Sequence, residues 1–247
     1  MKLSPKERAA RQEAFRQMTP MAKLEYIWTY FKAPILLVLT AVIILGSVIS
    51  DQLAKKEHLL YAAGVNVAVS KDLEADLNQG FVSGIGANPQ RAEVYYYWDL
   101  YLSDDPTVEN HEYVYATRMK LIATIQAKEL DLVLMNREAY DMMSRSDYLL
   151  ELPELLAQNP ALYEQLAPYL ITNTVVIEDD SAEFNLGDAE EYVEIREDAV
   201  NGIELTQFPL FRKAAFSDSV YLGIIANSPR LDACLDYIAY LASADAA

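Results

Sequence analysis

Few side chains in this chain are placed to do chemistry. The histidines are His58 and His111. Neither belongs to a His-Glu-x-x-His zinc pattern, because Glu112 is followed by Tyr113-Val114-Tyr115. No Gly-x-Ser-x-Gly elbow and no Gly-x-x-x-x-Gly-Lys phosphate loop occurs. Gly84-Ile85-Gly86 lacks the third glycine of a dinucleotide loop. A Ser–His–Asp triad needs no adjacency in sequence, but nothing points to one. Paired carboxylates are expected by chance in a chain with 37 acidic residues. The sequence therefore reads as a protein without catalytic residues and without a cofactor.

The loop Asp179-Asp180-Ser181-Ala182-Glu183-Phe184-Asn185-Leu186-Gly187-Asp188 invites comparison with a cation site. Oxygen ligands at alternate positions suit calcium, but the sixth position is Phe184 where an EF-hand needs glycine. A solvated acidic loop is the default over Glu178 to Glu191, and no metal ligand is assigned. The single cysteine, Cys234, falls on an apolar helical stripe and reads as a core residue.

Groups able to hold a ligand are easier to find. Asn136 and Arg137 come directly after the apolar run Leu130 to Met135 and would emerge at a strand end. Arg137 could grip a carboxylate, or pair with Glu138 or Glu151. Tyr95, Tyr97, Trp98 and Tyr101 alternate along a second strand, so some face a core and others line a cleft. Phe208, Phe211 and Arg212 could do the same from a later loop. The candidate ligand set is Asn136, Arg137, Tyr97, Tyr101, Phe208 and Arg212.

The elements that must position these groups begin with a membrane segment. Between Lys32 and Asp51 lie 18 residues without a charge. In a helix they rise about 27 Å, close to the roughly 30 Å hydrocarbon core of a bilayer. Ala33 to Ser50 is predicted to be one transmembrane helix, with a cleaved signal peptide as its rival. Residues 1–32 carry seven basic and three acidic side chains, a net +4. The whole chain carries −17, so residues 33–247 carry −21. Basic flanks stay inside, so the N-terminus is expected in the cytoplasm and the acidic body outside the cell. Ser4-Pro5 and Thr19-Pro20 read as helix starts. Leu24, Ile27, Trp28 and Phe31 share one helical face, and Pro20 to Lys32 is predicted to lie along the inner membrane surface, or simply to continue the span. Pro34 is expected to open or kink the entry to the span. Residues 51–57 form a polar stalk and residues 58–247 a folded domain. Its negative charge argues against binding nucleic acid.

Within that domain apolar runs alternate with helical patterns. Strands are expected near 59–69, 93–103, 130–135, 174–177, 192–196 and 221–226. Helices are expected after Ser70, over His111 to Glu129, from about Arg137, in pieces over Leu150 to Leu170 begun by Pro153 and Asn159-Pro160, and after Ser228-Pro229. This alternation predicts an α/β fold with a largely parallel sheet, whose ligands bind at strand carboxyl ends.

The run Arg118-Met119-Lys120-Leu121-Ile122-Ala123-Thr124-Ile125-Gln126-Ala127-Lys128-Glu129-Leu130-Asp131-Leu132-Val133-Leu134 resembles the helix-then-strand of bacterial extracellular solute-binding proteins of the type 2 periplasmic-binding fold. Gly223-Ile224-Ile225-Ala226-Asn227-Ser228-Pro229, with Leu231 to Ile238 after it, is similar to their closing strand and helix. The whole layout resembles single-pass membrane proteins of Gram-positive bacteria. The resemblance implies a three-layer α/β extracytoplasmic domain on a membrane helix. Such proteins have two lobes, and the short body here implies that the second is reduced. The expected function is a membrane-anchored, solute-binding-like module beside a transporter or receptor. The alternative is an accessory subunit that docks a membrane protein and holds no ligand.

Overall fold

The computed structural model describes residues 13, 16–54, 56–105, 107, 110–179 and 194–243. The helix start at Ser4-Pro5 and the acidic stretch 180–191 lie outside these residues. The chain divides into two compact units, Met1–Lys55 and Lys56–Ala247.

The first unit is built on α1 (Pro20–Ala54). It starts where Thr19-Pro20 predicts, with the Ala22 N–H donating to Thr19 Oγ1. Its segments Pro20–Thr29 and Phe31–Ser47 meet at 79°. Pro34 accounts for the place of the bend, since it lacks the N–H that would bond the carbonyl of Tyr30 and its ring crowds that carbonyl. Among the described residues no single helix is long and apolar enough to cross a membrane; the bent pair meets the length and composition only together. Every residue from Phe31 to Ser47 is exposed. Residues 51–54, expected as stalk, continue the helix.

The second unit is a mixed α/β fold. Its strands are β1 (Glu57–Val65), β2 (Ala92–Leu100), β3 (Leu132–Met135), β4 (Leu170–Asp179), β5 (Glu194–Glu204) and β6 (Tyr221–Ile224), in the order β2-β1-β3-β6-β5-β4. β1 runs parallel to β2 and β3, while the β3–β6, β6–β5 and β5–β4 pairs are antiparallel. The sheet is therefore mixed rather than largely parallel. β4 and β5 succeed one another without a described helix between them and pair as a hairpin, which fixes them antiparallel. β6 is buried on both faces, and such an apolar run reads the same in either direction.

Two layers of helices cover the sheet. On one face lie α2 (Lys71–Ala75), a π turn over Asp76–Gly80, α3 (Phe81–Gly84), α6 (Leu152–Leu156), α7 (Pro160–Leu166), α8 (Pro209–Ala214) and α9 (Leu231–Ser243). On the other lie α4 (His111–Gln126) and α5 (Arg137–Arg145). The period-2 rule sorts β3 cleanly: Leu132 and Leu134 enter the first core, Val133 and Met135 the second. Ser70 and Asn159 cap their helices as expected, accepting from the N–H groups of Leu73 and Leu162. Cys234 is fully buried in the first core. Tyr163 on α7 is 39 % exposed, and Ile122 on α4 is half-buried.

A bulge lets β2 keep its large aromatic side chains. Ala63 pairs with Tyr97 and Val65 with Leu100, so β2 carries one extra residue. Asp99 absorbs it at φ +60°, a region aspartate tolerates. Trp98 then lies over Gly64, where a Cβ would collide with its ring.

Candidate functional site

A hollow of about 480 Å³ lies on the α4–α5 face of the α/β unit. That lies within the roughly 300–1,000 Å³ of small-ligand pockets. α4 contributes Arg118, Leu121 and Ile122, whose spacing of three and four residues puts them on one face. α5 and the turn after it contribute Met142, Met143, Arg145, Ser146 and Tyr148. Leu102 and Asp104 come from the segment after β2, and Val176 from β4.

Local chemistry holds these pieces in place. Asn66 sits at φ +57° just beyond β1 and acts as a short strand partner. Its Nδ2 donates to the Leu102 carbonyl at 2.6 Å, and its Oδ1 accepts from the Leu102 N–H at 2.9 Å. Ser103 Oγ donates to Glu138 Oε1 at 2.7 Å and ties the segment to the first turn of α5. Asp105 is held below the usual carboxylate range by the N–H and the hydroxyl of Thr107. α5 is fixed to the hairpin by a buried polar chain. The Tyr140 hydroxyl donates to Asn201 Oδ1, Asn201 Nδ2 donates to Ser144 Oγ, and Ser144 Oγ donates to the Thr174 carbonyl, at 2.8, 2.8 and 3.1 Å.

The lining has two characters. Leu102, Leu121 and Met143 are buried, and Ile122, Met142, Tyr148 and Val176 half-buried; together with the polar residues they make a wall about half apolar and half polar. Two guanidinium groups join it. Arg118 Nη2 pairs with Asp104 Oδ1 at 3.1 Å, with both side chains about half exposed. Such a pair contributes about 0–1 kcal/mol. Arg145 is exposed, and among the described residues its side chain has no ion pair or hydrogen bond. The arrangement supplies shape, apolar contact and cationic charge, which is equipment for holding a solute.

The sequence-predicted site residues are not gathered around this cavity. Asn136 caps α5, its Oδ1 accepting from the Ala139 N–H at 2.9 Å. Arg137 pairs with Asp141 at 2.9 Å and lies over the rings of Tyr140 and Tyr221. Burial works against its charge, but the bonds to Asp141 and Tyr221 outweigh that and hold its pKa above the ordinary value. Tyr97 packs against the α4–α5 core, edge-on to Tyr95 at 5.0 Å, with the Lys120 ammonium 5.0 Å from its ring centroid. Tyr101 is 38 % exposed. Phe208 and Phe211 are core residues of the opposite face, and Arg212 is exposed on α8. Phe208 also lines a smaller hollow of about 130 Å³ with Tyr169, Gln165 and Gln207. Sequence reasoning missed Arg145, Met142 and Met143. The signal for Arg118 was present, since it shares a helical face with Leu121 and Ile122.

Among the described residues no group of three or more His, Cys, Asp or Glu side chains could hold a metal ion. His58 stacks on Tyr95 at 5.0 Å and reaches Glu93 at 3.5 Å, and its buried Nδ1 has no hydrogen-bond partner among the described residues. Comparison with protein-family models, with curated proteins and with solved structures gave no match.

Proposed function

We propose that this chain is a membrane-anchored module that binds a small solute outside the cell and presents it to a transporter or receptor in the same membrane. The observation that carries the reading is the 480 Å³ cavity, whose wall combines apolar side chains with two guanidinium groups. A periplasmic-binding-like unit is supported by three parallel strands with helices between them, and by a C-terminal strand and helix returning beside β3. The described residues of the unit form a single sheet. The solute seat is then a pocket within one lobe rather than a cleft closed by two.

Anchoring is supported by the bent helix. A run of exposed apolar side chains such as Leu37, Val42 and Ile43, at 71 %, 61 % and 63 %, is far beyond what a surface leaves in water without reason. The cationic residues before it argue for an inside N-terminus. The test has two arms. A protease added to intact cells or spheroplasts cleaves the domain if it lies outside; protection until lysis overturns the topology. A thermal-shift screen of the full chain in lipid nanodiscs against solutes raises the melting temperature where one binds the native state.

A second reading is favoured by one other observation. Tyr95, Tyr101, Tyr113, Tyr115 and Met119 leave 38–66 % of their surface exposed, and aromatic residues are enriched at protein interfaces. An accessory subunit that docks a membrane protein would use such a surface. No shift with any solute, together with a stable co-purified membrane complex, would select this reading.

A further inference from the structure

The charges around the cavity do not match those of the chain. The protein carries 37 acidic against 20 basic residues. The cavity wall carries Arg118 and Arg145 against Asp104, a formal excess of one positive charge. Asp104 is already paired with Arg118. Asp141, one helical turn before Arg145, is taken by Arg137 and by Asn173 Nδ2, which donates to it at 2.8 Å. The guanidinium of Arg145 thus stands at a partly apolar hollow, with Asp141 one helical turn away already engaged.

We propose that the cavity takes a small organic monoanion, a carboxylate joined to an apolar body, with Arg145 as the anchor for the carboxylate. This deepens the solute-binding reading and rests on it. The planar guanidinium can give a carboxylate two parallel N–H bonds. Leu121, Ile122, Met142 and Met143 receive the apolar part, and methionine adapts readily to an irregular ligand. A cationic solute would meet Arg145 as a like charge. A dianion such as a phosphate monoester would leave an uncompensated negative charge beside a strongly acidic body, since at this wall only Arg145 lacks an ion pair among the described residues. A neutral solute would leave that guanidinium unmatched.

The experiment uses the full chain in zwitterionic lipid nanodiscs, titrated with 3-phenylpropanoate, 3-phenylpropanol, 3-phenylpropylamine and inorganic phosphate, against empty nanodiscs. The acid is expected to bind about tenfold or more tightly than the alcohol, as a charge-assisted bond implies, with no binding of the amine or of phosphate. Arg145→Gln, at an exposed position, is expected to keep the fold and erase the preference for acid over alcohol. Ile122→Trp, which fills the cavity from a half-buried position, is expected to block both. If the alcohol binds wild type as well as the acid, or if Arg145→Gln lowers the melting temperature but leaves the acid-to-alcohol ratio intact, the anion assignment falls and the solute seat stands. If the amine binds better than the acid, the assignment falls in the same way. If none of the four probes binds wild type, and Ile122→Trp changes nothing but stability, the solute seat falls with it.

Discussion

Asp131 shows how one side chain can be committed to architecture. It has no exposed surface. Oδ2 accepts from the Tyr61 N–H at 2.8 Å and from Arg230 Nε at 2.8 Å, and Oδ1 accepts from Ser228 Oγ at 2.6 Å. Its own N–H donates to the Tyr61 carbonyl, and its carbonyl accepts from the Ile225 N–H. Arg230 also donates to the Lys128 carbonyl and lies 4.7 Å from the Tyr61 ring centroid. One carboxylate therefore joins β1, the entry to β3 and the start of α9. Asp131→Ala leaves a guanidinium and a buried N–H without their acceptor. Breaking a buried pair costs about 3–5 kcal/mol, and a fall of that size in urea-unfolding free energy is expected. A loss below about 1 kcal/mol would mean that Arg230 is held by Lys128 and Tyr61 alone. The sequence marked Asp131 only as one residue of the expected strand 130–135, because its partners lie 70 and 97 residues away. Asn136 is the opposite case. It immediately precedes a helix, and the N-cap preference of asparagine accounts for its side chain without a ligand.

At the scale of elements, irregular positions decide how the hairpin meets α5. Ile171 pairs with Gly202 and Thr172 with Val200, which leaves Asn201 as the extra residue of a bulge. The bulge turns Asn201 inward, where it is fully buried and bonds Tyr140 and Ser144. Gly202 then lies against the Tyr140 ring, and a Cβ there would meet it at 2.6 Å. Gly202→Ala forces the ring or the hairpin to shift, at an expected cost of about 1–3 kcal/mol in chemical denaturation. An unchanged midpoint would show that Tyr140 can move aside freely. The end of α8 offers a change of the other sign. Ala215 ends it at φ +52°, a left-handed conformation that glycine adopts without strain. Ala215→Gly is expected to raise the unfolding free energy by about 1 kcal/mol, since the left-handed region costs roughly 1–2 kcal/mol for a residue with a Cβ. Equal stability would mean the strain is already relieved elsewhere in the turn.

For the whole molecule, the core holds several acids that ionise only at high pH. Burial pushes the Cys234 thiol up to about 12 from an ordinary value of 9.0. Burial likewise raises the phenols of Tyr96, Tyr237 and Tyr140 above their ordinary 10.0. Tyr96 and Tyr237 bond each other and belong to opposite walls of the first core, one from β2 and one from α9. Unfolding exposes all of them, and the unfolded chain then releases protons that the folded chain retains. Their stabilisation is whole below about pH 9, the ordinary thiol value, and fades as pH rises towards the folded-state values. Urea midpoints are therefore expected to fall between about pH 9 and pH 11, with most phenolate absorbance of the buried tyrosines appearing only on unfolding. Early, reversible titration of every tyrosine in the native protein would contradict this.

Much of this molecule could be read in one dimension. Caps at Ser70 and Asn159, the start of α1 at Thr19-Pro20, the helix after Ser228-Pro229 and the place of Cys234 on it all come from spacings of a few residues. So does the contrast between a basic head, an uncharged run and an acidic body. These are local properties, fixed by hydrogen-bond reach along the backbone and by side-chain period. Strand direction, the bulge at Asn201 and the Asp131 clamp are set by pairings between distant residues, and no local pattern encodes a distant partner. The cavity belongs to that second class. Its wall is drawn from four separate stretches of chain, so Arg118 and Arg145 acquire a common surface only once α4, α5, β4 and the segment after β2 have packed together.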